Sequence, residues 1–155
     1  MLENEEAIIK ELAKYEIEIG VISGDSKRKN VVSIGMTNAE LMFIHENGSP
    51  IRNIPARPVL QMTIDWANKS GELLKTIDYI IDNILFNNWT IKDAENELNR
   101  FCVKMENYAR NIIYSNDGRL APNAPKVAAR KKGNHPLFDT GQLARSITCR
   151  LKKIN

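Results

Sequence analysis

Tyr15, Ile17, Ile19 and Val21 alternate with Glu16, Glu18 and Gly20. That period of two over 15–23 predicts a strand with one buried face. Ile147, Cys149 and Leu151 repeat the pattern among polar neighbours and predict a closing strand over about 145–152, while Val31 to Ile34 offers a third, shorter one over 30–34. Elsewhere the period lengthens to that of a helix. Leu2, Ile8, Ile9 and Leu12 leave one apolar stripe on an otherwise charged segment, 2–14. Val59, Met62 and Trp66 mark another helix, opened by Pro58 at its first position. Leu74, Ile77, Ile80 (or Ile81) and Ile84 mark a third, after a kink or restart at Ser70-Gly71. Ala94, Leu98, Phe101, Met105, Tyr108 and Ile112 recur at alternating steps of four and three, a seam suited to packing on the preceding helix.

The boundaries carry their own signals. Thr37-Asn38-Ala39-Glu40 has the form of a capping box, and Asn47-Gly48 offers a glycine for the positive φ that closes a helix. Pro50, Pro55 and Pro58 then read as a stiff, extended connector. Thr90 to Asp93 reads as a second cap, and Asp139 as an N-cap with Gln142 three residues on. Residues 115–137, with Gly118, Pro122, Pro125, Gly133 and Pro136, read as one long loop, which in a compact domain is uncommon unless functional or disordered. The expected fold is α+β in a single domain, 1–155: a small antiparallel sheet packed against two long antiparallel helices, with short helices and the long loop.

Composition adds limits. At 43% hydrophobic and 26% charged, the chain has the make-up of a globular domain, and 155 residues bury enough apolar surface to fold without metals or disulfides. Cys102 and Cys149 form no CxxC pair and read as reduced core residues. The N-terminal segment lacks a signal peptide's basic start and apolar run, and no stretch approaches the roughly 20 apolar residues of a membrane span. The expected site of synthesis is a cytoplasm, with no membrane partner. A net charge of +3 is too mild to imply nucleic-acid binding, but its distribution is polar. Glu3, Glu5, Glu6 and Glu11 crowd the start, whereas Lys126, Arg130, Lys131 and Lys132 put four positive charges into seven residues of the long loop. Such a loop fits solvent, an acidic protein neighbour or phosphates, and without interleaved aromatics it does not fit stacked bases.

The chemistry of catalysis is absent. No phosphate-binding glycine loop and no GxSxG elbow occurs. His45 and His135 lie far apart, and Ser49 stands where a helical zinc pair would need a second histidine after His45. The expectation is no enzyme, no cofactor and no metal.

Two segments carry a resemblance. One is Ile44-His45-Glu46-Asn47-Gly48 followed by Ile54-Pro55-Ala56-Arg57-Pro58-Val59-Leu60; the other is Pro136-Leu137-Phe138-Asp139-Thr140-Gly141-Gln142-Leu143, running on to Ser146-Ile147. Together, in this order and spacing, they resemble the phage virion-morphogenesis proteins of the tail-completion, neck or head–tail joining kind, over roughly residues 15–24 and 40–151. Asn47 stands where an aromatic is common in that family, and Val59 where Phe is common. The residues read as structural in their own right. Gly48 ends a helix, Pro55 and Pro58 stiffen the connector, and Arg57 projects a fixed fork of donors, as a clamp or at an interface. Asp139 and Thr140 read as caps, Gly141 as a point of close approach, and His45, Glu46, Leu143 and Ser146 complete the motifs. The resemblance implies a homo-oligomeric ring, a hexamer or alternatively a dodecamer, in the neck or at the head-proximal end of the tail. Its implied partners are other neck, tail-tube and connector proteins, with DNA passing through the channel without specific binding. The virion, and the host cytoplasm during assembly, are the implied locations. A cytoplasmic DNA-binding regulator using residues 126–132 is the alternative reading.

Overall fold

A computed structural model describes residues 2–22, 35–131 and 134–154. The expected strand at 30–34 and the residues Lys132 and Gly133 lie outside the described residues. The order is α1 (Leu2–Leu12), β1 (Tyr15–Val21), α2 (Asn38–Asn47), a single 3-10 turn (Pro50–Arg52), α3 (Val59–Lys69), α4 (Glu72–Asn87), α5 (Ile91–Ser115), α6 (Pro125–Arg130), α7 (Gln142–Ser146) and β2 (Ile147–Lys153). The fold is mixed α+β, and β1 and β2 pair as an antiparallel two-stranded sheet. The residues group into two compact units: 1–19 with 64–105 and 149–155, and 20–63 with 106–148.

In the first unit, the inward residues of the sheet meet the seam of α5. Ile17, Ile19 and Cys149 pack with Ala67, Phe101, Cys102 and Met105, joined by Trp66 and Leu73. A second cluster joins Ile80 and Ile84 of α4 to Ala94 and Leu98 of α5, with Ile8 and Leu12 of α1 against them. The inward face of α4 differs slightly from the expected stripe: Leu74 is exposed and Leu73 is partly buried, because the helix restarts at Glu72 after Gly71 (φ 73°). Glu5, one turn before Ile8, is buried although the acidic start reads as a solvated face; its Oε2 has no hydrogen-bond partner among the described residues. The outward face of the sheet is ionic. Glu18 accepts from Arg150 and Lys152 at 2.8 and 2.7 Å, Glu16 pairs with Lys152 at 3.0 Å, and Lys153 reaches Glu11.

In the second unit the buried apolar residues are Met42, Val59, Ala109, Ile112, Ile113, Leu120, Leu137, Leu143, Ala144 and Ile147. α2 opens on the expected capping box: Thr37 N–H donates to Glu40 Oε2 at 2.7 Å, and Glu40 N–H to Thr37 Oγ1 at 3.2 Å. α2 packs against α7.

Three expectations need correction. The connector after Gly48 is not extended throughout. Ser49 and Ile54 exchange backbone hydrogen bonds at 2.8 and 2.9 Å around the 3-10 turn, and Asn53 takes the left-handed conformation, so only the stretch from Pro55 to Pro58 runs open. Residues 115–137 are not one loop. Pro125 presets the first φ of α6, and Lys126, Ala128, Ala129 and Arg130 are good helix formers, a local preference hidden by the surrounding Pro and Gly. Asp139 and Thr140 are not caps. The residue before α7 is Gly141, with φ 74° and no side-chain cap, and this left-handed step leaves both side chains outside the helix and exposed.

Candidate functional site

The two motif segments, far apart in sequence, line one cavity of about 300 Å³ in the second unit. His45, Ile54, Pro55 and Arg57 come from the first, and Leu137, Asp139, Thr140, Gly141, Gln142 and Leu143 from the second. Asn123, Val127 and Lys131, from the segment between α5 and α7, complete the wall.

Arg57 organises this region. Only 4% exposed, it donates from Nε to Ala121 O and from Nη2 to Pro122 O, both at 2.7 Å, while its Nη1 lies 3.3 Å from His45 Nδ1. Its backbone N–H donates to His45 O at 2.6 Å. The rigid guanidinium fork thus ties the connector to the segment before α6, and the loss of water around it pulls its pKa below the ordinary value. A buried cation held by carbonyl dipoles rather than a carboxylate is a clamp, one of the two roles its sequence setting allows.

Glu46 faces α3 instead. Its carboxylate accepts from the backbone N–H of Leu60 at 3.0 Å and of Gln61 at 2.7 Å, satisfying two free donors of the first turn. Pro58 begins that turn: its carbonyl accepts from Met62 N–H at 2.9 Å. Gly48 has φ 73°, and a Cβ there would stand 2.8 Å from Ala56 N and 2.9 Å from Ile54 O, so only glycine lets the connector fold back so closely.

In the second motif, Leu137 holds a φ of 59° and buries its side chain. Phe138 meets Tyr114 edge-on at 5.7 Å and His135 at 5.0 Å, and the His135 ring hydrogen-bonds to Ile113 O at 2.5 Å. Gly141 is buried, and a Cβ there would meet the Arg145 guanidinium at 2.7 Å; Arg145 itself donates to Thr140 O at 2.9 Å. Ser146 Oγ donates to Leu143 O at 2.7 Å, a bond internal to α7. Arg110, singled out by no sequence signal, donates to Ala144 O and Ile147 O at 3.3 and 2.7 Å and fixes the α7–β2 corner.

The basic segment divides. Lys131 turns inward, lines the cavity and donates to Phe138 O at 3.2 Å. Lys126 and Arg130 project from exposed positions of α6. Asn123 Nδ2 is buried at the cavity wall without a hydrogen-bond partner among the described residues. The lining brings together the engaged Arg57, Lys131, the Asn123 amide, the Asp139 carboxylate, and apolar side chains from Leu41, Ile54 and Val127. Among the described residues no three His, Cys, Asp or Glu side chains gather as metal ligands, and no helix is long and apolar enough to cross a membrane.

No family model, no curated protein and no solved structure matches the chain.

Proposed function

We propose that this chain is a structural subunit of a tailed phage virion, forming a homo-oligomeric ring in the neck or at the head-proximal end of the tail and joining the tail to the head connector. The observation that carries the reading is the convergence of the two motif segments on one cavity, with Arg57 anchoring the first to the loop before α6. The motif residues act through conformation and clamping. Gly48 makes room for a close backbone approach, Arg57 supplies a fork of bonds, and Glu46 starts a helix. A subunit of this kind works by shape and surface. In this reading the sheet backed by two long antiparallel helices is the body of the subunit, the cavity receives a segment of a neighbour, and DNA passes through the ring without specific contact. A hexamer is favoured over a dodecamer.

Deleting the gene from the phage that encodes it is the test. Filled heads and separate tails, unjoined or with aberrant ends, are the expected products in electron micrographs, because a joining subunit acts late. Failure to form heads or to package DNA in the deletion overturns the reading.

A further inference from the structure

α6 is a helix of six residues that buries no side chain. Lys126, Val127, Ala129 and Arg130 are all exposed. A helix so far below the roughly 12–15 residues at which helices begin to hold in water needs a covered face, and its own chain gives it little: Val127 borders the cavity and Ala128 is half-buried, while the other residues are exposed. Its cations are also uncommitted: Lys126 and Arg130 make no ion pair with any described residue. The neighbouring basic side chains are engaged, Lys131 with Phe138 O, Arg145 with Thr140 O and Arg119 with Asp117.

The complementary pattern stands on α1. Glu11 is held by Lys14 and Lys153, and Glu5 is buried. Glu3 and Glu6 are exposed, one turn apart on one face, and Ile9, also exposed, lies one turn further. Glu3 has no ion-pair partner among the described residues, and Glu6 meets Lys10 at 2.6 Å in a pair whose side chains are 65% and 72% exposed. Such a pair contributes little and is easily exchanged.

We propose that α6 of one copy docks on α1 of the next, Lys126 and Arg130 binding Glu3 and Glu6 while Val127 packs on Ile9. The two surfaces differ, so the contact is head to tail and propagates until its rotation closes a ring. The inference rests on the ring reading and names its contact.

The full chain is compared with K126E/R130E, with E3K/E6K, and with a one-to-one mixture of the two. Light scattering over a concentration series reads assembly, and circular dichroism checks the fold. Each reversal is expected to raise the concentration for half-assembly by about tenfold or more, which corresponds to about 1.4 kcal/mol. The mixture is expected to recover assembly, because the acidic α6 of one variant faces the basic α1 of the other. Assembly indifferent to either reversal, or loss without recovery in the mixture, overturns the contact and leaves the ring standing. A wild-type chain that stays monomeric also overturns it, and the deletion phenotype then judges the ring separately. Binding of a short DNA duplex that K126E/R130E abolishes, with assembly unchanged, assigns α6 to nucleic acid and overturns the proposal.

Discussion

At Gly48 the chain reverses with a φ of 73° and leaves no room for a methyl group against Ala56 N and Ile54 O. Gly48→Ala is therefore expected to destabilise by about 2 kcal/mol or more, since backbone atoms on both sides must shift. Urea denaturation reads this directly, and a loss below half that value contradicts the steric argument. Arg57 makes the complementary case. Removing it leaves two carbonyls of the Ala121–Pro122 segment without their donors, so Arg57→Ala is expected to cost about 2 kcal/mol or more. Arg57→Lys recovers only part of that, because an ammonium cannot span two acceptors with a planar fork. Equal stability of all three proteins in urea would show that the clamp holds nothing. The donor fork of Arg57 was legible in the sequence, between two prolines that fix its reach. Its acceptors were not, because backbone carbonyls belong to every residue and carry no sequence signal. Glu5 was illegible for the opposite reason: its type argues for solvent, and only the helical phase with Ile8 and Leu12 puts it on the buried face.

Elements are most legible in the sequence where one period runs long. The four-and-three spacing on α5 correctly marks Ala94, Phe101, Met105 and Ile112 as buried, and the alternation of β2 marks Ile147 and Cys149. Two local signals compete in the other segments: Pro and Gly, which suggest a loop, surround the helix formers of α6, and Asp139 has the residue type of a cap although Gly141 sets the helix start. The ion pairs of Glu11 on α1 and Glu18 on β1 give a pH dependence. Lys14, and after it Lys153, hold the Glu11 carboxyl down to about 2 from an ordinary 4.5, and Lys152 and Arg150 lower Glu18. A carboxyl lowered in the folded state adds stability above its unfolded pKa, and that stability drains away as pH falls through the folded value. The thermal midpoint is thus expected to drop by a few degrees between pH 4.5 and about 2 through these groups. Lys153→Met should shrink the drop, because Glu11 then keeps a smaller shift; an unchanged profile in that variant removes Glu11 from the account. The pairs are exposed, so added salt flattens the same profile.

At the scale of the whole molecule the question is what orders a helix that buries nothing. The segment before α6 is fastened by its own chain: Leu120 is buried, and Arg57 grips Ala121 and Pro122. The next tie is Lys131, just past the helix, whose Nζ donates to Phe138 O. Within and just after α6, Val127 and Ala128 N–H donate to Ala124 O at 2.8 and 2.9 Å and Lys131 N–H to Val127 O at 3.2 Å, bonds whose donors lie on a short, mostly exposed helix and open at little cost. Covering the exposed side of α6 with α1 of another copy shields those amides and the exposed part of Val127, so protection should rise on assembly. Hydrogen exchange of the dilute chain and of the assembled ring should therefore differ at Val127, Ala128 and Lys131 by about tenfold or more, the change expected if docking adds roughly 1.4 kcal/mol to the local opening free energy. The buried turn of α5 around Ala109 and Ile112 should exchange alike in both states and serves as the internal reference. Equal protection of α6 in both states would mean that its own chain already holds it, and the head-to-tail contact would lose its physical reason.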